Sequence, residues 1–149
     1  IIYGVFYPQP YLGQLVRERH GRSAYLAGFS THSGTVTAAS DWGSPAERKV
    51  VRPGLRGSYE SLFHEMDEPN FMLDLRSAAD GALRHPRLQR AIGVVYRPET
   101  ERQSHYYHAS LSSQFDAMLH YDVTRAVEPL EHTALWTRGE VPETFPSAL

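Results

Sequence analysis

The sequence predicts an α/β domain: a mixed β-sheet flanked by helices. Two observations lead there. Segments with the period of a helix and segments with the period of a strand alternate along the chain, and one of the strand-like segments, Ile92 to Tyr96, is rich in β-branched residues. The 149 residues suit one domain or a large piece of one. Their 41% apolar and 21% charged content is that of an ordinary globular protein.

Pro8 and Pro10 exclude regular structure just before Tyr11. Leu12, Leu15 and Val16 then fall at helical spacing, with Gln14, Arg17, Glu18 and Arg19 off that stripe and Gly21 as a stop. Ala24 to Ser30 reads as a buried strand, Thr31 to Gly34 as a polar turn, and Thr35 to Ala39 as another short strand. Asp41 to Gly57, rich in glycine, proline and charge, reads as a long loop. Ser58 is a good N-cap for a helix with Tyr59, Leu62, Phe63 and Met66 at i, i+3, i+4 and i+7. Phe71, Leu73 and Leu75 alternate with polar neighbours, as in a half-buried strand.

Leu83 to Arg90 fits a short helix with Pro86 in its first turn, and Ile92 to Tyr96 a strand. Arg97 to Gln103 breaks the pattern. Ser112 is a candidate cap for a helical turn through Phe115, and Met118 to Val123 reads as the last strand. Three stretches follow: 1–10, an apolar segment with neither a basic n-region nor a cleavage site; 11–130, the domain proper; and 131–149, a surface tail.

Composition excludes several functions. A net charge of −2 with no basic stretch argues against nucleic acid. The absence of cysteine removes disulfides, thiolate metal sites and a cysteine nucleophile, and fits a cytoplasmic protein. No apolar run approaches the roughly 20 residues of a membrane helix.

Three motifs each miss a required residue. Gly28-Phe29-Ser30-Thr31-His32 resembles a nucleophile elbow, but the elbow needs glycine where His32 stands. His64-Glu65-Met66-Asp67-Glu68 starts like a zinc helix and lacks the second histidine, so a solvated helix face explains it at least as well. His105 and His108, three apart, share a face only on a helix; with a carboxylate they would make a small metal hydrolase, and otherwise they are wet histidines in an aromatic patch. No metal or cofactor is therefore expected. His32, read in a turn at a strand end beside Thr31 and Thr35, is a candidate catalytic group or a solvated turn residue. Glu60, His64 and Glu65, on the helix begun by Tyr59, can supply a base and an orienting carboxylate, or a charged face.

Longer runs go beyond pattern. Gly13 to Arg19, Gly28 to Trp42 (Gly-Phe-Ser-Thr-His-Ser-Gly-Thr-Val-Thr-Ala-Ala-Ser-Asp-Trp), Pro45 to Arg48, Ser58 to His64, Arg90 to Arg102 and Gln114 to Ala117 occur in an order and spacing that resembles the carboxy-terminal part of an erythromycin esterase family domain, over about Tyr11 to Leu130. The resemblance implies an α/β hydrolase opening an ester or macrolide lactone with water activated by histidine and glutamate, without an obligatory metal. A subset of similar sequences stands beside phosphoribosyltransferase-like domains.

The family's His-Asn-x-His segment has no match in Ile1 to Pro10, so the expectation is a fragment inactive alone, self-associating or completed by a missing amino-terminal half. His32, Glu60 and His64 are the catalytic candidates and Thr31, Thr35 and Tyr59 the substrate-binding ones. The alternatives are a non-catalytic binding module derived from the same fold and the small metal hydrolase above.

Overall fold

The computed structural model describes residues 12–77, 83, 85–130 and 133–139. Its centre is a four-stranded sheet in the order β2-β1-β6-β3. The strands are β1 (Ala27–Ala38), β2 (Glu47–Val51), β3 (Asn70–Asp74) and β6 (Ala117–Thr124). β1 and β6 run parallel, while β2 and β3 lie antiparallel on the two edges, so the sheet is mixed. A separate antiparallel ribbon joins β4 (Arg87–Arg90) to β5 (Tyr106–Ala109). The helices are short: α1 (Leu12–His20), α2 (Tyr59–His64), α3 (Glu101–Ser104), α4 (Leu111–Gln114) and α5 (Ala134–Arg138). No described helix is long and apolar enough to cross a membrane.

β1 departs most from the sequence reading. It is one strand of 12 residues, and the Thr31–Gly34 stretch expected to turn runs through its middle. Two different partners impose this. β6 pairs with Ala27 to Gly34 and β2 with Gly34 to Ala38, so Gly34 is where one ladder hands over to the other. Its φ of 118° is a conformation that glycine adopts without steric cost. The expected loop from Asp41 to Gly57 contains β2, whose charged Glu47, Arg48 and Lys49 hid the strand; Lys49 is buried with its ammonium on Ser40 Oγ at 2.8 Å.

α2 forms as expected, with Ser58 Oγ accepting from Ser61 N at 3.2 Å, although Met66 lies beyond its end and is exposed. β3 and β6 also match. Arg87 to Arg90 is a strand instead of the end of a helix, because it pairs residue for residue with β5; most of 78–84 lies outside the described residues. Ile92 to Tyr96 makes only a single bridge, Val95 to Ala39, and Arg97 to Gln103 forms a 3-10 turn leading into α3. Ser110, not Ser112, precedes α4. Within 131–149, α5 is capped by Thr133 and sends Trp136 Nε1 to Thr37 Oγ1 at 3.1 Å.

One face of the sheet is covered. Met118 of β6 packs there with Tyr59 and Phe63 of α2, Leu75 and Leu111, and a second cluster of Ala38, Val51 and Tyr96 closes the other end. Alternation along the strands sends Phe29, Met72, Tyr121 and Val123 to the opposite face, where all four are exposed. Asp116 ties the start of β6 to α1: it accepts from Arg17 Nη2 at 2.5 Å, Leu26 N at 2.7 Å and Arg76 Nε at 2.7 Å. The Arg76 guanidinium first, and Arg17 with it, holds this carboxyl well below its usual range.

Candidate imidazole–carboxylate site

Four polar side chains converge on the covered face. Ser30 and His32 point there from β1, and His120 and Asp122 from β6, where Ser30 stands in register with His120. α2 brings its last residue, His64, over them. The rings of His32 and His64 stack with centroids 3.7 Å apart and an interplanar angle of 10°. His64 Nδ1 lies 2.7 Å from Asp122 Oδ1. The same oxygen is 3.6 Å from His120 Nε2, and His120 Nδ1 meets Ser30 Oγ at 2.7 Å. Asp122 thus sits between two imidazoles, one wet and one dry: the His64 side chain is 50% exposed and that of His120 is 0%.

Burial sets the charge of this cluster. It lowers the pKa of His32, with the neighbouring His64 pushing the same way, and it lowers that of His120 against the pull of Asp122. Burial thus disfavours the charged form of both rings. His32 Nδ1 is buried with no hydrogen-bond partner, as is His120 Nε2. Phe63 and Phe71 pack against the His120 ring with centroids 5.3 and 5.2 Å away.

The edge of β1 ahead of its β2 pairing is closed by Arg90. Its Nη2 donates to the carbonyls of Thr31 at 2.5 Å and His32 at 2.8 Å, and its Nη1 to Glu101 Oε1 at 2.8 Å. Glu60 lies alongside, 1% exposed, with Oε1 accepting from Arg90 N at 2.9 Å and Oε2 without a partner. Burial raises the pKa of Glu60, opposed by that Arg90 N–H. Glu60, Arg90, Thr31, Thr35 and Tyr121 line a groove of about 400 Å³ that reaches the bare face of the sheet.

The structure brings together only part of the predicted set. His32 and His64 meet, but His32 is a mid-strand residue rather than a turn residue. Glu60 is enclosed rather than on a solvated helix face. Thr31 and Thr35 line the groove on the opposite side of β1 from the histidines. Tyr59 is fully buried, and its hydroxyl donates to the carbonyls of His85 and Ala109, both at 3.1 Å. His105 is buried, with Nε2 accepting from Arg97 N and Nδ1 beside Ala91 O, while His108 is exposed, so these two histidines do not converge on one ion. The carboxylate that meets His64 is Asp122, on a strand. His120 and Asp122 went unread as site residues, although His-x-Asp on a strand places an imidazole and a carboxylate on one face.

Glu60 allows a direct check. A raised folded pKa means that the group favours the native state only at low pH; this advantage fades from the ordinary value of 4.5 upward and is gone above the folded pKa. Glu60→Gln keeps an acceptor for Arg90 N and removes the buried charge. It is expected to raise the melting temperature at pH 8 by about 2–4 °C, the equivalent of roughly 1 kcal/mol, with no gain at pH 4.5. Thermal denaturation at the two pH values decides it; an equal shift at both would exclude ionisation as the cause.

Comparisons with known proteins agree with this architecture. The erythromycin esterase family model matches residues 7–124. The fold is similar to that of a solved succinoglycan biosynthesis protein (TM-score 0.68, 24% identity, 84% of this chain) and of a solved protein from Bacillus cereus (TM-score 0.64, 19% identity, 76% of this chain). The matches span 30% and 28% of those longer chains. With the family model covering most of its length, this chain belongs to the erythromycin esterase family.

Proposed function

We propose that this chain forms one wall of the catalytic centre of an erythromycin-esterase-type hydrolase, with His64 and Asp122 activating water for attack on an ester or lactone, and that it is inactive without the rest of such a domain. The observation behind the reading is the 2.7 Å contact between His64 Nδ1 and Asp122. A carboxylate on Nδ1 selects the tautomer whose Nε2 carries a lone pair. His64 is half-exposed, so that nitrogen can meet water and substrate. His64 takes a proton from water as the water oxygen bonds to the acyl carbon; the C–O bond then breaks, and the proton passes to the leaving alkoxide. His120 stands 3.6 Å from Asp122 on its dry side, and His32 stacks on the His64 ring. Glu60, whose carboxyl burial pushes up, lines the neighbouring groove.

Two features support a shared site. Ester hydrolysis needs donors for the oxyanion, and neither His64 nor Asp122 supplies them. A sheet with a parallel central pair is ordinarily covered on both faces, whereas Phe29, Met72, Tyr121 and Val123 are bare.

The test assays aryl esters and macrolide lactones with the 149-residue chain and with an intact family member. The chain alone is expected to give no turnover. Alanine at the intact protein's counterpart of His64, or asparagine at that of Asp122, is expected to lower kcat by about 10²–10⁴-fold. Turnover by the chain that disappears in His64→Ala would show that the site is complete here and overturn the shared-site reading. Full activity of both variants of the intact protein would remove the catalytic assignment.

A further inference from the structure

We propose that His32, His64 and Asp122 form a binding site for one divalent transition-metal ion, of the Zn²⁺ or Mn²⁺ class. One ligand atom from each of the three lies within 4.8 Å of the other two, and among the described residues this is the cluster of histidine and carboxylate groups with that property. The donors come from three separate elements, β1, α2 and β6, so no spacing in the sequence announces them.

A second observation points to a ligand. His32 Nδ1 is buried and makes no hydrogen bond. A buried ring nitrogen with no partner has lost its hydration without compensation, which a bound ligand reaching it would restore.

The donor chemistry selects the ion. Two imidazoles and one carboxylate make a borderline-hard set, the same types that hold catalytic zinc and mononuclear iron. Three protein donors leave at least one position for water. Beside the cluster, His120 faces Asp122 Oδ1 at 3.6 Å and is itself held by Ser30. Binding would replace the His64–Asp122 hydrogen bond. It also requires the two rings to splay, because each metal–nitrogen bond of about 2.0–2.1 Å lies in the plane of its own ring. His64 can make that movement, since its side chain is half-exposed and stands at the last position of α2.

This inference concerns the same residues as the hydrolytic reading and does not depend on it, because binding is measured with no substrate. The 149-residue chain, freed of metal by chelation, is titrated with Zn²⁺ by calorimetry and with Co²⁺ by visible absorption. One ion per chain is expected, with cobalt bands indicating nitrogen and oxygen ligation. His64→Ala and Asp122→Asn are each expected to weaken binding by about 10–100-fold or more. His64→Gln, closer in size, should weaken it too, which guards against a loss due to misfolding, and His108→Ala on the exposed ribbon should leave it unchanged. No saturable binding, or binding indifferent to His64 and Asp122, overturns the site. A saturable site together with unimpaired hydrolysis by the His64 and Asp122 variants of an intact relative would keep the metal site and reject the hydrolytic reading.

Discussion

Glu101→Gln is expected to destabilise the chain by about 3–5 kcal/mol, because it leaves a buried guanidinium without its counter-charge. The Arg90 and Glu101 side chains are 2% and 4% exposed. Arg90 donates to one carboxylate oxygen and to three carbonyls: Arg52 at 2.7 Å, Thr31 at 2.5 Å and His32 at 2.8 Å. Tyr96 donates to the same Glu101 oxygen at 2.9 Å, and its burial, with Glu101 beside it, pushes the phenol far up. Neutralising Glu101 removes the carboxylate that the guanidinium contacts directly, leaving carbonyl dipoles and the Tyr106 ring against it and Glu60 on its backbone N–H. Urea denaturation at pH 7 measures the loss. Arg90→Met combined with Glu101→Leu should recover much of it, since removing a buried pair together is far less costly than removing one partner. A loss below about 1 kcal/mol in the single variant would mean that the three carbonyls suffice. The effect reaches the candidate site, because Arg90 holds the backbone of His32 under the His64 ring.

Gly34→Ala is the second large change, expected to cost about 3 kcal/mol or more, or to prevent folding. Two penalties combine. A φ of 118° is a conformation that a residue with a Cβ rarely adopts, and that Cβ would stand 2.1 Å from the carbonyl oxygen of Thr124. The neighbouring atoms are backbone of the paired strand and cannot rotate away. Gly43→Ala is the control: its φ of 76° is also positive, but nothing lies within 4 Å of the added atom, so only the conformational part remains, on the order of 1 kcal/mol. Comparing the two variants by thermal denaturation separates strain from collision. Similar losses in both would show that the strand junction at Gly34 yields.

Local signals read correctly where one short-range cause dominates. The Ser58 cap, the apolar stripe of α2, the alternation in β3, and α1 with its Gly21 stop all depend on neighbours within a few residues. Signals failed where a distant strand supplied the hydrogen bonds. Thr31 to Gly34 has turn composition, yet β6, some 90 residues away, draws it into a strand. Arg87 to Arg90 looks helical until β5 arrives to pair with it, and the charged β2 looks like a loop until Lys49 finds Ser40. His32, Glu60 and His64 were visible as polar residues in suggestive places, but what they touch was not.

By itself the sequence determined the α/β class, the family to which the chain belongs, and the amphipathic elements whose apolar faces demand a common core. These follow from periodicity, capping and long ordered runs of residues, all written locally in the chain. Only the tertiary structure decided that Asp122 rather than Glu60 or Glu65 contacts the His64 ring, that His32 stacks on His64, and that Thr31 and Thr35 face away from both. The reason is geometric: strand register and the crossing of α2 over β1 and β6 set which side chains meet, and register depends on hydrogen bonds between segments that no local pattern relates.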